Sequence, residues 1–152
     1  MSTPASVLRG GCMCRAIRYE ITGKPMFGGH CQCLDCQQES GGGHVSFMAF
    51  PADAVKLEGT PRFYESEADS GNTIRRGFCP TCGSPVMGAT TGLPGVTTIS
   101  AGSLDDPRAF KPEFVCYTIR GHAWDHVDPA LPSFPKMPSM PDEAEGPARG
   151  LN

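Results

Sequence analysis

The sequence predicts an all-β or β-rich fold in a single domain that relies on bound metal. Three observations carry that expectation. Apolar and polar residues alternate in short runs between Gly and Pro, of which there are 19 and 15 in 152 residues; this is the pattern of strands and turns. No stretch holds apolar residues at helical spacing long enough to build a bundle or a coiled coil. Leu, Ile, Val and Phe together fall below the roughly 20% expected of a folded chain. The formal charge is only −3, so the composition is not that of a disordered chain. A thin core of this kind calls for a staple, and eight Cys are available to make one.

The elements follow in order. In Arg15 to Ile21, Ile17, Tyr19 and Ile21 point one way and Arg18 and Glu20 the other, as in a half-buried strand. Val45 to Phe50 is a second candidate strand. Val55 to Glu58 and Arg62 to Glu65 flank the turn Gly59-Thr60-Pro61. Thr73 to Phe78, Pro85 to Gly88, Val96 to Ala101 and Phe114 to Ile119 complete the set. Leu34 to Ser40 reads as one short helical turn, stopped by Gly41-Gly42-Gly43. Asp105-Asp106-Pro107 reads as a turn or a helix start. The domain is expected over residues 1–136. From Met137 to Asn152 the chain has almost nothing to bury and reads as a mobile tail.

Several functions are excluded at this level. No apolar run approaches the ~20 residues of a membrane span. The first ten residues lack the apolar region of a signal peptide, so the expected compartment is the cytoplasm. A pI near 5.8 with 13 basic residues argues against a nucleic-acid surface. No glycine motif for a nucleotide is present.

The cysteines carry the chemistry. Cys12 and Cys14 form Cys-x-Cys, Cys31, Cys33 and Cys36 form Cys-x-Cys-x-x-Cys, and Cys79 and Cys82 form Cys-x-x-Cys before Gly83; Cys116 stands apart. Disulfides would need an oxidising compartment. Zinc instead needs four tetrahedral ligands, with Zn–S near 2.3 Å. Cys-x-Cys in an extended segment presents both thiols on one face. Cys-x-x-Cys-Gly makes a tight knuckle whose N–H groups turn toward sulfur. Cys12, Cys14, Cys79 and Cys82 are the natural closed set. The triplet Cys31, Cys33 and Cys36 leaves a fourth position free, the pattern of a catalytic metal. Spacing also allows a closed second site completed by Cys116, His30 or His44. It equally allows a site that joins the triplet to the Cys79/Cys82 knuckle.

The order of these motifs, with Phe78, Ser84 and Pro85 around the knuckle and Gly11, Ser40-Gly41 and Arg75 beside them, resembles the glutathione-dependent formaldehyde-activating enzyme family, which includes the centromere protein V domain. Trp124 and Leu131-Pro132-x-Phe134 resemble the family's C-terminal segment. The resemblance spans about Gly10 to Pro135. It implies several small coiled antiparallel sheets, the β-tent. It implies a structural zinc on Cys12, Cys14, Cys79 and Cys82, and a catalytic zinc on Cys31, Cys33 and Cys36. It also implies carbon–sulfur lyase chemistry, the making or breaking of S-(hydroxymethyl)glutathione, with glutathione as cosubstrate. Two positions depart from the family's usual pattern: Gln32 between the first two Cys of the triplet, and Val115 where a His is common.

Three thiolates already overbalance a divalent zinc, so such a centre favours a reactive thiolate over strong polarisation of an aldehyde. His30 and His44 flank the triplet as candidate proton shuttles, although a hydrogen-bonded or surface His is the default. His122 and His126 straddle Trp124, where packing or solvent is the default. Asp35 is expected to cap the loop of the triplet. Arg75-Arg76 is a candidate receiver for a glutathione carboxylate, with a solvated strand face as the plainer account. The alternative from another class is a non-catalytic zinc module that binds a protein partner, as some related β-tent proteins do.

Overall fold

The computed structural model describes residues 5–138. Its ten strands form two sheets. The smaller has the order β1 (Val7–Gly11), β2 (Arg18–Thr22), β5 (Val55–Glu58) and is antiparallel throughout. The larger has seven strands in the order β10, β3, β4, β9, β8, β7, β6. These are β3 (Phe27–Cys31), β4 (Val45–Pro51), β6 (Arg62–Glu67), β7 (Thr73–Phe78), β8 (Pro85–Thr90), β9 (Val96–Ser100) and β10 (Phe114–Cys116). All its pairings are antiparallel except that of β10 with β3. The expected β-rich architecture is therefore present, drawn as two sheets. Among the described residues, no helix is long and apolar enough to cross a membrane.

Two apolar clusters lie on opposite faces of the large sheet, and β4 separates them. Met48 and Phe50 join Ile17, Tyr19, Ile21, Val86 and Ile99 in the first cluster. Ala49 and the partly buried Phe47 join Phe27, Phe114 and Cys116 in the second. Alternation along a strand with both faces covered requires this split. The first cluster is roofed by the small sheet, and Cys12 and Cys79 belong to it. Cys31 belongs to the second, so the two cysteine groups are built into different cores.

Helix α1 (Leu34–Ser40) falls where the sequence placed it and ends at Gly41 in left-handed backbone, φ 69°. The strand expected from Arg15 starts only at Arg18, because residues 12–16 curl into the first cysteine loop. The strands expected to end at Ala101 and Ile119 stop at Ser100 and Cys116 and continue as 3₁₀ turns. Pro107–Ala109 is a 3₁₀ turn capped by the Asp106 carboxylate, which accepts from Arg108 N. Most of the expected tail, residues 139–152, lies outside the described residues. Met137 packs against the second cluster, and Pro135 and Lys136 carbonyls accept from Ile119 and Tyr117.

Candidate metal centres and the polar cleft between them

The first centre gathers Cys12, Cys14, Cys79 and Cys82, whose sulfurs lie within 4.8 Å of one another. Cys12 and Cys14 flank the loop after β1, and Cys79 and Cys82 sit on the β7–β8 turn. The turn closes as a knuckle: Gly83 N donates to Cys79 O at 2.8 Å, and Gly83 has φ 76°, a conformation that favours glycine. Backbone N–H groups point at sulfur, Ile17 N to Cys12 Sγ at 3.2 Å and Thr81 N to Cys79 Sγ at 3.4 Å. Hydrogen bonds from the side chain and backbone of Ser84 bring the Cys82 thiol down to about 5. Cys12 and Cys14 sulfurs are 3.6 Å apart, and Cys14 and Cys79 sulfurs 3.7 Å. Four Zn–S bonds of about 2.3 Å in a tetrahedron put sulfurs about 3.8 Å apart. The donor set and its spacing thus fit a closed tetrathiolate metal site. None of the eight cysteines is in a disulfide.

The second centre gathers Cys31, Cys33 and Cys36, again within 4.8 Å. Cys31 ends β3 and Cys36 lies in the first turn of α1. Cys33 is the helix N-cap, its sulfur accepting from Cys36 N at 3.4 Å. The cap is thus the thiol of Cys33; Asp35, expected in that role, sits in the first turn and faces Arg76 at 3.7 Å. The helix start presents one N–H to sulfur and directs its positive end toward the thiols.

Cys116, one of the fourth ligands that the spacing allowed, is the parallel partner of Cys31 across β10–β3 and is wholly buried. It stands outside the set of three mutually close sulfurs. Hydrogen bonds from Cys116, Cys33 and Cys36 drive the Cys31 thiol far below its ordinary range, while Cys116 and Cys36 are pushed up. Cys116 comes from a strand remote in sequence, and only the β10–β3 pairing brings it here. Val115 is buried and, by alternation, faces away from Cys116.

Behind the triplet, on the other face of the strand end, lies a polar network. His44 Nδ1 meets both oxygens of Asp125, at 2.8 and 2.9 Å. Gln32 Nε2 donates to the same carboxylate at 3.0 Å. His30 Nδ1 pairs with Ser46 Oγ at 2.9 Å, and its ring stands edge-on to His44 at 4.5 Å. Burial raises the Asp125 carboxyl, but the donors Gln32 and His44 outweigh it and the net shift is downward. The segment after β10 is clamped to α1 by Gln37, whose Nε2 donates to Gln32 O and Arg120 O at 2.8 and 2.9 Å and whose Oε1 meets His122 Nε2 at 2.9 Å. His122 stacks on the exposed Trp124, and His126 is exposed. Asp125 and Gln37 gave no signal in the sequence, because neither lies in a spaced motif.

The arginine pair is already engaged. Arg76 contacts Glu39 at 3.0 Å, Ser66 at 2.8 Å and Asp35, and is only 15% exposed. Arg75 pairs with Glu65 at 2.8 Å and lies over the Phe63 ring at 4.3 Å. Arg76 is thus held by acidic partners, and Arg75 lies on a solvated strand face.

A family model described as glutathione-dependent formaldehyde-activating enzyme matches residues 7–120. No curated protein matches the chain. Among solved structures, the crystal structure of a Rhodobacter sphaeroides protein is similar at a TM-score of 0.54, with 14% identity over 83% of this chain and 98% of that one. At that identity the likeness speaks to the fold.

Proposed function

The chain belongs to the glutathione-dependent formaldehyde-activating enzyme family, and on that premise we propose that it is a zinc-dependent carbon–sulfur lyase acting on a small thiol–aldehyde adduct, with S-(hydroxymethyl)glutathione as the first substrate to test. Cys12, Cys14, Cys79 and Cys82 would hold a structural zinc. Cys31, Cys33 and Cys36 would hold the second. The observation that supports this assignment is the triplet itself: three sulfurs within 4.8 Å, with the nearby Cys116 outside the set. Zinc bound by three protein ligands supplies a Lewis-acidic position that favours a thiolate over a thiol at neutral pH.

The residues of the chain do the rest. Cys33 caps α1, which fixes the triplet to a rigid helix start. Cys31 and Cys116 line the buried side, against Phe114, and exclude water there. Cys33 and Cys36 are only partly buried, and Leu34 beside them is 52% exposed. In the synthetic direction the thiol loses its proton and its sulfur pair attacks the aldehyde carbon. The carbonyl π pair moves to oxygen, which takes up a proton. The reverse releases aldehyde and thiol.

The test follows magnetisation exchange between formaldehyde and S-(hydroxymethyl)glutathione by NMR, with and without the zinc-loaded protein. Exchange accelerated by the wild type and lost in Cys33→Ala supports the reading. Exchange no faster than in buffer overturns it and favours a non-catalytic zinc module.

A further inference from the structure

A cleft of about 680 Å³ opens between the loop of the first cysteine pair and the C-terminal end of α1. That volume is in the range of small-ligand sites, about 300–1,000 Å³. Met13, Arg15, Ser40, His44, Ser46 and Asp105 are among the residues lining it. Three of its charged side chains are already neutralised: Arg18 grips Asp105 through both guanidinium nitrogens, and Glu39 is held by Arg76. Arg15 is different. It is exposed, and no carboxylate among the described residues lies within ion-pair distance of it. Arg15 is thus the one arginine lining the cleft, among the described residues, without a carboxylate partner.

Across the cleft stands His44. Its Nδ1–H is committed to Asp125, so in the neutral ring Nε2 carries a lone pair and accepts. Asp125 cannot turn away, because Gln32 Nε2 holds its second oxygen at 3.0 Å. Room for that carboxylate is built into the backbone: a Cβ on Gly43 would fall 2.2 Å from Asp125 Cγ. The tautomer and aim of His44 are thus fixed by three residues from two distant segments. The cleft and the triplet share one helix. Glu39 and Ser40 follow Cys36 by three and four residues, on the same helix face. Four residues of helix cover about 6 Å, within the ~10 Å that three extended residues can span.

We propose that this cleft binds the carboxylate and amide part of a small peptidic thiol, with Arg15 pairing a carboxylate and His44 Nε2 accepting an N–H. The inference rests on the thiol reading above and assigns the recognition of that thiol to residues away from the cysteines. It is tested by calorimetric titration of the zinc-loaded full chain with S-methylglutathione, which keeps the carboxylates and amides and has no free thiol. Binding is expected, weakened about tenfold or more by Arg15→Met, partly restored by Arg15→Lys, and weakened by His44→Phe. Absence of binding overturns the proposal, and so does binding that Arg15→Met leaves within about twofold of wild type in a variant of unchanged melting temperature. The two readings separate cleanly. Arg15-dependent binding without exchange catalysis keeps the cleft and removes the lyase. Catalysis without S-methylglutathione binding keeps the lyase and removes the cleft.

Discussion

Gly43 shows how a single missing side chain can be the condition for a site. Its Cβ would fall inside the Asp125 carboxyl group, so Gly43→Ala must displace Asp125 and unfasten His44. Forcing an extra methyl into a packed position costs about 1–3 kcal/mol. For a domain of this size that lowers the melting temperature by roughly 2–4 °C per kcal/mol. A scan of Gly43→Ala against wild type should show the drop, and Gly102→Ala, where a Cβ meets nothing within 4 Å, should not. Cys33 is the second residue with two duties, as one of the three close sulfurs and as the cap of α1. If the proposed assignment holds, Cys33→Ala should drop the metal content from two zinc per chain to one, by elemental mass spectrometry on gently purified protein. Retention of both zincs would remove Cys33 from the ligand set.

At the scale of elements, α1 is too short to be stable by itself, at seven residues. It is held by what its side chains grip. Gln37 gives one amide hydrogen to Gln32 O just before the helix, and its other amide hydrogen and its oxygen to Arg120 and His122 in the segment that follows β10. Gln37→Leu should release that segment, seen as faster amide hydrogen exchange over residues 117–125 with little change in the core strands. Unchanged exchange there would show that backbone pairing with residues 132–136 suffices. A second tie, Arg18 with Asp105, fastens β2 to the turn after β9. The Arg18 hydrogen bonds lower the Asp105 carboxyl pKa below its ordinary 3.8. A depressed carboxyl contributes stability above its unfolded pKa and loses it as pH falls through the folded one. Asp105→Asn should therefore be less stable than wild type at pH 7, and the gap in denaturant midpoint should shrink once the pH falls below about 3.8. A gap independent of pH would mean the loss is one of packing.

For the whole molecule, the first cysteine centre lies at the seam between the two sheets. Cys12 follows the small sheet's β1, Cys79 follows the large sheet's β7, and both are in the cluster that the sheets share. Structural zinc in small domains contributes on the order of 10 kcal/mol or more, as much as the whole stability of a typical domain, about 5–15 kcal/mol. With zinc at that seam, chelation should unfold the chain cooperatively, with circular dichroism losing its β signal as the metal leaves. Loss of metal without loss of β signal would mean that the apolar cluster alone holds the sheets together.

Much of this was legible in one dimension because the signals are local. Strand alternation from Thr73 to Phe78, the turn at Gly59, the short helix stopped at Gly41 and the Cys-x-x-Cys-Gly knuckle each depend on a few neighbouring residues and on backbone sterics. β3 escaped because Gly28 and Gly29 discount any strand reading. Only the fold shows why they are needed, since a Cβ on Gly29 would meet Phe114 O at 2.6 Å and one on Gly28 would meet Phe47 O at 2.9 Å. Composition and turn pattern by themselves determined the β-rich class, and the order of the cysteine motifs carried the resemblance to the family, while spacing left the grouping of the cysteines open until the fold brought Cys12 and Cys14 to Cys79 and Cys82. Tertiary structure decided which partners long-range pairing delivers: Cys116 beside Cys31, Asp125 onto His44, Arg76 into its acidic pocket and Arg15 left free at the cleft. The reason is physical. Spacing constrains side chains only within a few residues of one another, whereas a site closed by strands and loops eighty residues apart exists only once the sheet has set their register.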